Sequence, residues 1–426
     1  MKELKDVWLV DYARTPFSRS RPQNPETDVF GEIRGDTLLS HLIKKFFDGS
    51  LAKKGIEKKD IDEITVGVAA GVLENWIYGG KIPAFMSGFP HHVASFSIDR
   101  QCGSAGSGMH VGIMEIMTGF STIVLSTGFE HMTRVRGKGV EPNFSFGDMN
   151  SEFYRPDIDV NTVFNMLQTA QKLYEEEVPT FTKEDMDKLG VRSHNLTVKN
   201  QESGWFNGEI IPIQGHVSGN IDEPMLVDRD MNPRASTLEK VSTLPRISQP
   251  YYLEKNGGKE GYVKREGTEE GVITAGNASP LNAGATAAVL MAAKEAENRG
   301  IEPMARIVSM GWAGVDPTVM GRGPVPATIK ALKHAGLSVE DIDFWEINEA
   351  FCIVTLNCMD KLNIPEEKVN VMGGSTAIGH PLGSTMIRLT GTLARILKDK
   401  KAKYGVANAC VGGGQGVATV IENLDV

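Results

Sequence analysis

One short segment occurs twice in the sequence, and this repeat limits the folds that are open to the chain. Residues 55–62 read GIEKKDID and residues 336–343 read GLSVEDID. Each copy follows a predicted helix and leads into a predicted strand. A second pair of segments, the strands predicted at Thr122–Ser126 and Tyr404–Asn408, lies at a similar separation. A separation shared by two pairs of segments is hard to obtain by chance, so we predict two related α/β halves.

The pattern of apolar residues predicts strands and helices that alternate on both sides of a polar middle segment. The first half is predicted to contain, in order, a strand Val7–Val10, a helix Thr37–Lys53, strands Ile64–Val68 and Ser95–Asp99, a helix after Cys102 and a strand Thr122–Ser126. The alternation returns near Ile307. Such alternation is typical of an α/β sheet with helices packed on its faces. Loops at corresponding strand ends of two such halves then meet in one cleft, where α/β proteins bind ligands.

The middle of the chain, from about Arg134 to Asn277, is richer in charge, asparagine and proline. It contains predicted helices near Met166–Glu177 and Lys183–Gly204, and a stretch at Leu253–Thr268 that resembles an exposed loop. We interpret this segment as a lid-like insertion in the first half and not as sheet.

The charge balance excludes several classes of partner. The chain has a net charge of −9, from 45 basic and 54 acidic residues, and it has no basic run. Nucleic acid and anionic membranes are therefore poor candidates, whereas a small polyanionic ligand needs only a local basic patch. No apolar run is long enough to span a membrane, and Glu3, Asp6 and Asp11 near the N-terminus do not fit a signal peptide.

The cysteines indicate free thiols. There are four, none in a CxxC pair, and they are Cys102, Cys352, Cys358 and Cys410. This pattern gives neither a disulfide framework nor a zinc site, so we predict no bound metal and a cytoplasmic location. We interpret Cys352 and Cys358 as small buried apolar residues of a helix.

Cys102 lies where a strand passes into a helix, in the segment QCGSAG at residues 101–106. Unpaired N–H groups and the dipole at a helix N-terminus favour a thiolate there. A reactive thiol and an inert thiol in a tight turn fit this segment equally well. The spacing of its glycines matches neither GxGxxG nor a Walker loop, and the segment is not GxSxG, which disfavours nucleotide binding and a serine hydrolase.

Three segments of the second half carry further candidate groups. The segment Asn348–Phe351 follows a predicted strand, and buried polar groups there require partners or a function. His380 is held between Gly379 and Pro381, which fixes its direction, although a single histidine is more often structural. Cys410 precedes a run of glycines in the same kind of position as Cys102.

Together these segments resemble the thiolase family in order and spacing. The four that carry the resemblance are the Cys102 loop, Asn348–Phe351, Gly379–Pro381 and Cys410–Gly412. Further agreement comes from the segments Arg14–Phe17, Gly128–Met132, Thr274–Ser279 and Gly323–Ala327, so the resemblance covers almost the whole chain. It implies two pseudo-symmetric βαβαβαββ halves that form a five-layered αβαβα core with an inserted loop domain. The implied boundaries are residues 1–133 plus 282–302 for the first half, 134–281 for the insertion and 303–426 for the second half.

The resemblance also implies a reaction, in which a 3-oxoacyl-CoA and CoA interconvert with two shorter acyl-CoAs. Cys102 is then the nucleophile that carries the acyl group, and His380 takes its proton. Asn348 completes one oxyanion site with His380, and Cys410 is the acid or base at the α-carbon. The N–H groups of Cys102 and Gly412 form a second oxyanion hole.

Coenzyme A is implied as a substrate, with no permanently bound cofactor. The implied contacts to it come from the insertion and its flanks: Ser279, Ala275, Met166 and, at the nucleotide end, Arg234. The family resemblance implies a homodimer or homotetramer, and an accessory subunit stays open.

Some positions depart from the family pattern, namely Pro280, Ala283, Asn165 and Met386, and they leave the acyl-chain preference open. We interpret Met386 as a packing residue of a helix. Two alternatives remain: a decarboxylating 3-oxoacyl synthase, against which Cys410 speaks, and a non-catalytic acyl-CoA-binding subunit, against which the intact catalytic positions speak.

Overall fold

The structure is a computed structural model that describes residues 4–135, 160–177, 180–249, 252–254, 262–264 and 270–426, and all structural statements concern these. The strands are β1 Val7–Arg14, β2 Ser18–Arg19, β3 Glu63–Gly67, β4 Ala94–Ile98, β5 Ile123–His131, β6 Ile213–Val217, β7 Asn220–Val227, β8 Tyr252–Glu254, β9 Tyr262–Lys264, β10 Asn282–Ala292, β11 Ala305–Gly314, β12 Phe344–Ile347, β13 Tyr404–Val411 and β14 Gln415–Glu422. The α-helices are α1 Gly35–Phe46, α2 Lys81–Met86, α3 Ser104–Thr118, α4 Val160–Val163, α5 Met166–Glu177, α6 Lys183–Glu202, α7 Leu238–Ser242, α8 Ala293–Arg299, α9 Pro324–Ala335, α10 Cys352–Leu362, α11 Ser375–Ile378 and α12 Thr385–Lys400.

The main sheet repeats one strand order in each half. The first half has the order β4-β3-β5-β10-β1 and the second half has β12-β13-β14-β11. In each half the strands before the last run parallel and the last strand returns antiparallel. A parallel bridge from Trp345 to Val369 lies beyond β12, where β4 lies in the first half. The halves join where Trp8 pairs with Arg306 and Leu9 with Ala305.

The repeated segment has the same structural role in both halves, and this role accounts for the aspartate at the end of each copy. The carboxylate of Asp62 accepts hydrogen bonds from the N–H groups of Thr122 and Ile123 at 2.7 and 3.0 Å. The carboxylate of Asp343 accepts from Lys403 and Tyr404 at 2.8 and 3.0 Å. Each aspartate therefore binds the first N–H groups of the neighbouring parallel strand.

Helices cover both faces of the sheets and also separate them. Helix α1 packs on β10 and β5, and α9 packs on β11 and β14. Between the sheets lie α3, which contacts β5 and β3, and α12, which contacts β13 and β12, and these two helices also contact each other. The layers therefore run αβαβα, as predicted. Met386 lies in the central layer, fully buried, and a Cβ at Gly106 would be 2.8 Å from the Met386 Cβ. Met386 is thus a packing residue of the helix contact.

The insertion contains the predicted helices, but the interpretation that it is not sheet was wrong. Strands β6 and β7 pair antiparallel around the turn at Gly219, whose φ is +84°. The hairpin was missed because most of β7 is exposed, so it lacks the alternating apolar pattern of a half-buried strand. Strand β9 and all of β8 except its first residue lie within the stretch that we interpreted as loop, and the rest of that stretch lies outside the described residues.

Several element ends also differ from the prediction. Strands β1 and β5 continue to Arg14 and His131, beyond the predicted ends, and both extensions are buried. Helix α1 ends at Phe46, and the residues up to Leu51 form a π-helical turn. Within the described residues, no helix is both long enough and apolar enough to cross a membrane.

Candidate active site

Cys102 lies in a 3-10 turn, Gln101–Gly103, that connects β4 to α3. Its side chain is only 5% exposed. Burial raises the pKa of the Cys102 thiol to about 11, and the backbone N–H groups of Gly412 and of Cys102 itself oppose this rise because they donate to the sulfur. The thiol is therefore neutral at pH 7, but two N–H groups already converge on it.

Cys410 is the second thiol of the cleft. It lies near the end of β13, two residues before Gly412, and its side chain is fully buried. Burial raises the pKa of Cys410 well above the ordinary value, and the negative charge of a Cys102 thiolate would raise it further. This coupling means that the two sulfurs are neighbours, although they come from different halves.

His380 follows Gly379, whose φ of +120° is in the region that favours glycine. The backbone N–H of His380 donates to Asn282 Oδ1 at 2.7 Å. Thr385 Oγ1 donates to the Pro381 carbonyl at 2.9 Å, so it accepts from His380 Nδ1 at 2.6 Å. The imidazole therefore carries its proton on Nδ1 and exposes a lone pair on Nε2.

The direction of hydrogen bonding on the other side of His380 agrees with this tautomer. Arg388 can only donate, and its Nη2 donates to Ser375 Oγ at 2.6 Å. Ser375 Oγ then donates to Asn348 Oδ1 at 2.7 Å. The amide group of Asn348 consequently turns its Nδ2 towards His380 Nε2, at 3.3 Å. Burial lowers the pKa of His380 to about 3, with the charge of Arg388 as a further cause, so the ring is neutral at pH 7.

A buried ion pair anchors this chain of hydrogen bonds. Arg388 Nη1 contacts Glu346 Oε2 at 2.7 Å, and both side chains are fully buried. Burial raises the pKa of Glu346, and the charge of Arg388 opposes this rise. Sequence reasoning missed Ser375, Arg388 and Glu346, because their contacts to Asn348 form only when β12, α11 and α12 come together.

Glu349 supports the same segment from its other side. Its carboxylate accepts from Ser193 Oγ at 2.7 Å, from the Thr376 N–H at 3.0 Å and from Asn370 Nδ2 at 2.8 Å. A Cβ on Gly374 would lie 2.1 Å from this carboxylate, so only glycine fits there. Glu349 thus ties α6 of the insertion to the loop that leads to His380.

Glu130, from the segment Gly128–Met132, joins the two halves beside the cleft. Its Oε2 accepts from the N–H groups of Ala69 and Gly383 at 2.9 and 3.1 Å, and its Oε1 accepts from Asn75 Nδ2 at 3.0 Å. Burial raises the pKa of Glu130 to about 7. The sequence segment was recognised, but its bridging contact to Gly383 could not be read from it.

The four residues that were predicted to contact a substrate lie in different surroundings. The Ser279 hydroxyl donates to the Ala350 carbonyl at 3.1 Å, which ties it to the segment after Asn348. A Cβ at Gly412 would be 3.8 Å from the Met166 sulfur, so Met166 borders the cleft. Ala275 is exposed. Arg234 is exposed as well, with Nη1 donating to the Asn232 carbonyl at 3.3 Å, and it has no contact with the cysteines or His380.

Comparisons with known proteins agree with this geometry. Residues 7–250 match the model of the thiolase N-terminal domain, and residues 301–423 match that of the thiolase C-terminal domain. The chain is 36% identical to a 3-ketoacyl-CoA thiolase of Marinobacter nauticus and 35% identical to one of Saccharophagus degradans, over 99% of each chain in both cases.

Two crystal structures show the same fold over nearly the full length. The Bacillus anthracis acetyl-CoA acetyltransferase is similar with a TM-score of 0.82 at 30% identity, covering 100% of both chains. Human mitochondrial 3-ketoacyl-CoA thiolase in complex with CoA gives a TM-score of 0.79 at 28% identity, covering 99% of both chains. With two matching family domains that span most of its length, the chain belongs to the thiolase family and is an acyltransferase.

Proposed function

We propose that the protein catalyses the reversible thiolysis of a 3-oxoacyl-CoA by CoA, with the acyl group carried on Cys102. The observation that carries this proposal is that two buried thiols, Cys102 and Cys410, act on each other electrostatically and that His380, in the same cleft, is neutral with its proton on Nδ1. The names of the similar thiolases support 3-oxoacyl-CoA as the substrate class.

The first step is attack of the Cys102 sulfur on the keto carbon of the substrate. The Cys102 pKa of about 11 and the His380 pKa of about 3 oppose a resting thiolate–imidazolium pair. The proton therefore moves from sulfur to Nε2 as the carbon–sulfur bond forms. The oxyanion that develops on the attacked carbon needs hydrogen-bond donors, which the N–H groups of Cys102 and Gly412 would supply.

The second step breaks the bond between the α-carbon and the keto carbon. Its electron pair passes to the thioester as an enolate, Cys410 donates its proton to the α-carbon, and acetyl-CoA leaves. The protonated Nε2 of His380 and the Nδ2 of Asn348 would stabilise the enolate oxygen of the thioester. The CoA thiol then gives its proton to the Cys410 thiolate as its sulfur attacks the carbonyl carbon of acyl-Cys102. Acyl-CoA leaves, and the Cys102 sulfur recovers its proton from His380.

We further propose that CoA lies between the insertion and the second half. Ser279 and Met166, which border the cleft, would contact the pantetheine chain, together with Ala275, and Arg234 would face the nucleotide. The division into residues 1–133 plus 282–302, an insertion of 134–281 and a second half of 303–426 is proposed on the same basis, since β10 returns to the first sheet at Asn282.

A homodimer, or a dimer of such dimers, is the proposed assembly. Strand β4 is an edge of the main sheet, with side chains that are exposed or half-buried, and an unpaired edge is a site for strand pairing. Beside it Trp76, Tyr78 and Phe85 are 60%, 67% and 57% exposed. A Trp76→Ser, Tyr78→Ser double variant should therefore sediment as a smaller species than the wild type. We also propose a cytoplasmic location, because the mechanism needs two reduced thiols.

The decisive experiment is a thiolysis assay over 3-oxoacyl-CoAs of increasing chain length, combined with mass spectrometry of the Cys102 peptide. We expect CoA-dependent cleavage of at least one substrate and a trapped acyl-Cys102. A protein that cleaves none of them, and acquires no acyl group on Cys102, would instead be an acyl-CoA-binding subunit. Full condensation activity in a Cys410→Ala variant would indicate a decarboxylating synthase.

A further inference from the structure

Glu130 is a buried carboxylate whose hydrogen-bond donors are all neutral. It lies near the end of β5 and is only 2% exposed. Its oxygens accept from the N–H groups of Ala69 and Gly383 and from Asn75 Nδ2, and none of these three groups carries a positive charge. Burial raises the pKa of Glu130 to about 7, so a charge at this place costs free energy. A carboxylate that is costly to bury, beside a catalytic cleft, is a candidate for a function there.

The Ala69 end of this contact leads to Cys102. The carbonyl of Ala69 accepts from Gln101 Nε2 at 3.0 Å. Gln101 immediately precedes Cys102 and has a φ of +44°, a conformation that a residue other than glycine keeps only where its surroundings hold it. Asp99 Oδ1 also accepts the N–H of Gln101, at 2.8 Å. The turn that presents the Cys102 sulfur is therefore held by its contacts to Ala69 and Asp99.

The Gly383 end of the contact leads to His380. Gly383 lies between His380 and Thr385, whose side chains are joined by a hydrogen bond of 2.6 Å. The backbone of Gly383 lies directly against β5, since a Cβ on this glycine would be 2.2 Å from the Phe129 carbonyl oxygen. The hydrogen bond to Glu130 therefore anchors the short loop that carries the imidazole.

Both ends meet on one oxygen atom. Glu130 Oε2 accepts from the Ala69 N–H at 2.9 Å and from the Gly383 N–H at 3.1 Å, and these two residues come from different halves. Cys102 is also within the electrostatic reach of Glu130. Burial is the main cause of the raised pKa of Cys102, and the negative charge of Glu130 is a further cause. A single acceptor thus lies near the nucleophile and connects its turn with the loop of the histidine.

We propose that Glu130 is a positioning residue, which fixes the separation of Cys102 from His380 by binding the turn of one and the loop of the other to one carboxylate oxygen. This inference rests on the proposed function, in which the proton of Cys102 passes to His380. Proton transfer needs the two groups at hydrogen-bond distance, and a displacement of about 1 Å can lower the rate by about 10².

Asn75 makes Glu130→Gln a conservative variant. Its Nδ2 donates to Glu130 Oε1, whereas its own Oδ1 is buried without a hydrogen-bond partner among the described residues. The oxygen of the introduced amide can accept both backbone N–H groups, and the nitrogen of that amide can donate to Asn75 Oδ1 once the Asn75 amide rotates. Glu130→Gln therefore removes the charge and keeps the link, whereas Glu130→Ala removes both.

Steady-state thiolysis compares the two variants. Glu130→Gln should keep kcat within about threefold of the wild type, and Glu130→Ala should lose about 10² in kcat with KM nearly unchanged, because no substrate contact is removed. Asp62→Ala is the matched control, since Asp62 accepts two N–H groups at the opposite end of β5. It should lose stability and keep its kcat. A wild-type kcat in Glu130→Ala, or equal losses in both Glu130 variants, would overturn the inference.

Alkylation of Cys102 distinguishes positioning from a loss of local structure. Both Glu130 variants lack the charge that, after burial, raises the Cys102 pKa, so iodoacetamide at about pH 10 should modify them at rates within about threefold of each other. Alkylation of the Glu130→Ala variant that is faster by as much as its kcat is lower would reveal an opened turn and overturn the inference. If Glu130→Ala does not fold, Gln101→Ala breaks the same link at its exposed end. It should lose about tenfold in kcat, and an unchanged kcat would equally overturn the inference.

Hydrogen exchange separates this inference from the proposed function, because it needs no substrate. The amide hydrogens of Ala69 and Gly383 should exchange at least about tenfold faster in Glu130→Ala than in Glu130→Gln. Equal exchange in the two variants refutes the link even if thiolysis is normal. Faster exchange at both residues, in a protein whose wild type cleaves no 3-oxoacyl-CoA, supports the link and refutes the proposed reaction.

Discussion

The hydroxyl of Ser375 should matter for catalysis although it does not reach the cleft itself. It accepts a hydrogen bond from Arg388 at 2.6 Å and donates one to Asn348 at 2.7 Å. Among the described contacts, it is the only group that connects the fixed guanidinium of Arg388 with the side-chain amide of Asn348, which faces His380. Ser375→Ala removes both hydrogen bonds and leaves Asn348 Oδ1 and Arg388 Nη2 buried without these partners. Asn348 is then free to rotate its amide.

The size of both effects follows from these contacts. One of the lost hydrogen bonds involves a charged donor and the other is neutral, which together correspond to a loss of about 2–4 kcal/mol in the free energy of unfolding. For catalysis, a misdirected Asn348 removes one donor from the oxyanion site, and such a loss lowers kcat by about 10²–10³. KM for CoA should change little, because Ser375 is fully buried away from the surface.

Steady-state thiolysis kinetics and urea denaturation measure the two effects separately. Ser309→Ala is the matched control, since Ser309 is also a buried serine, donates to the Ala331 carbonyl at 2.7 Å and lies outside the site. It should lose about 1 kcal/mol of stability and keep its kcat. If Ser375→Ala is destabilised but turns over at the wild-type rate, the hydrogen-bond chain does not orient Asn348 and the reasoning fails.

Three further predictions concern the thiols and the contact between the halves. Cys410→Ala should still form acyl-Cys102 from an acyl-CoA, as measured by mass spectrometry, but its thiolysis rate in steady-state kinetics should fall by a factor of about 10²–10⁴. A thiolysis rate near that of the wild type would exclude Cys410 as the acid or base. Because burial raises the Cys102 pKa to about 11, alkylation of Cys102 by iodoacetamide should increase about tenfold per pH unit from pH 7 to pH 10, and a plateau by pH 8 would contradict this. Gly128→Ala would place a Cβ 2.0 Å from the Gly383 carbonyl oxygen and should lower the free energy of unfolding by about 3 kcal/mol, whereas Gly71→Ala, which meets nothing within 4 Å, should not; equal melting temperatures for the two variants would refute the clash.

The sequence predicted the two-half architecture because the repeat reflects a backbone requirement. Asp62 and Asp343 each bind the start of a neighbouring strand, so the same residue recurs at equivalent places. The exposed hairpin β6–β7 has no such constraint, and its polar surface concealed it.

In the site, the residues that lie within recognisable motifs could be predicted, but their supports could not. Cys102, His380 and Cys410 were found as candidates from local patterns. Neither Thr385, which fixes the tautomer of His380, nor Arg388 was predicted as a site residue from the sequence. Such groups act through contacts between elements that are distant in the sequence, and only the folded chain shows them.

The narrow junction between the sheets has a mechanical consequence. Among the described residues, strand pairing between the halves is limited to Trp8 with Arg306 and Leu9 with Ala305. The rest of the contact is packing of α3, α12 and the strands beside them in one shared apolar cluster. Cys102 precedes one of these helices, and His380 precedes the other. A small rotation of one half against the other would therefore change the distance between Cys102 and His380, and it would also disturb the apolar cluster that Met109 shares with Met386. The distance between Cys102 and His380 therefore depends on how closely the two halves pack against each other.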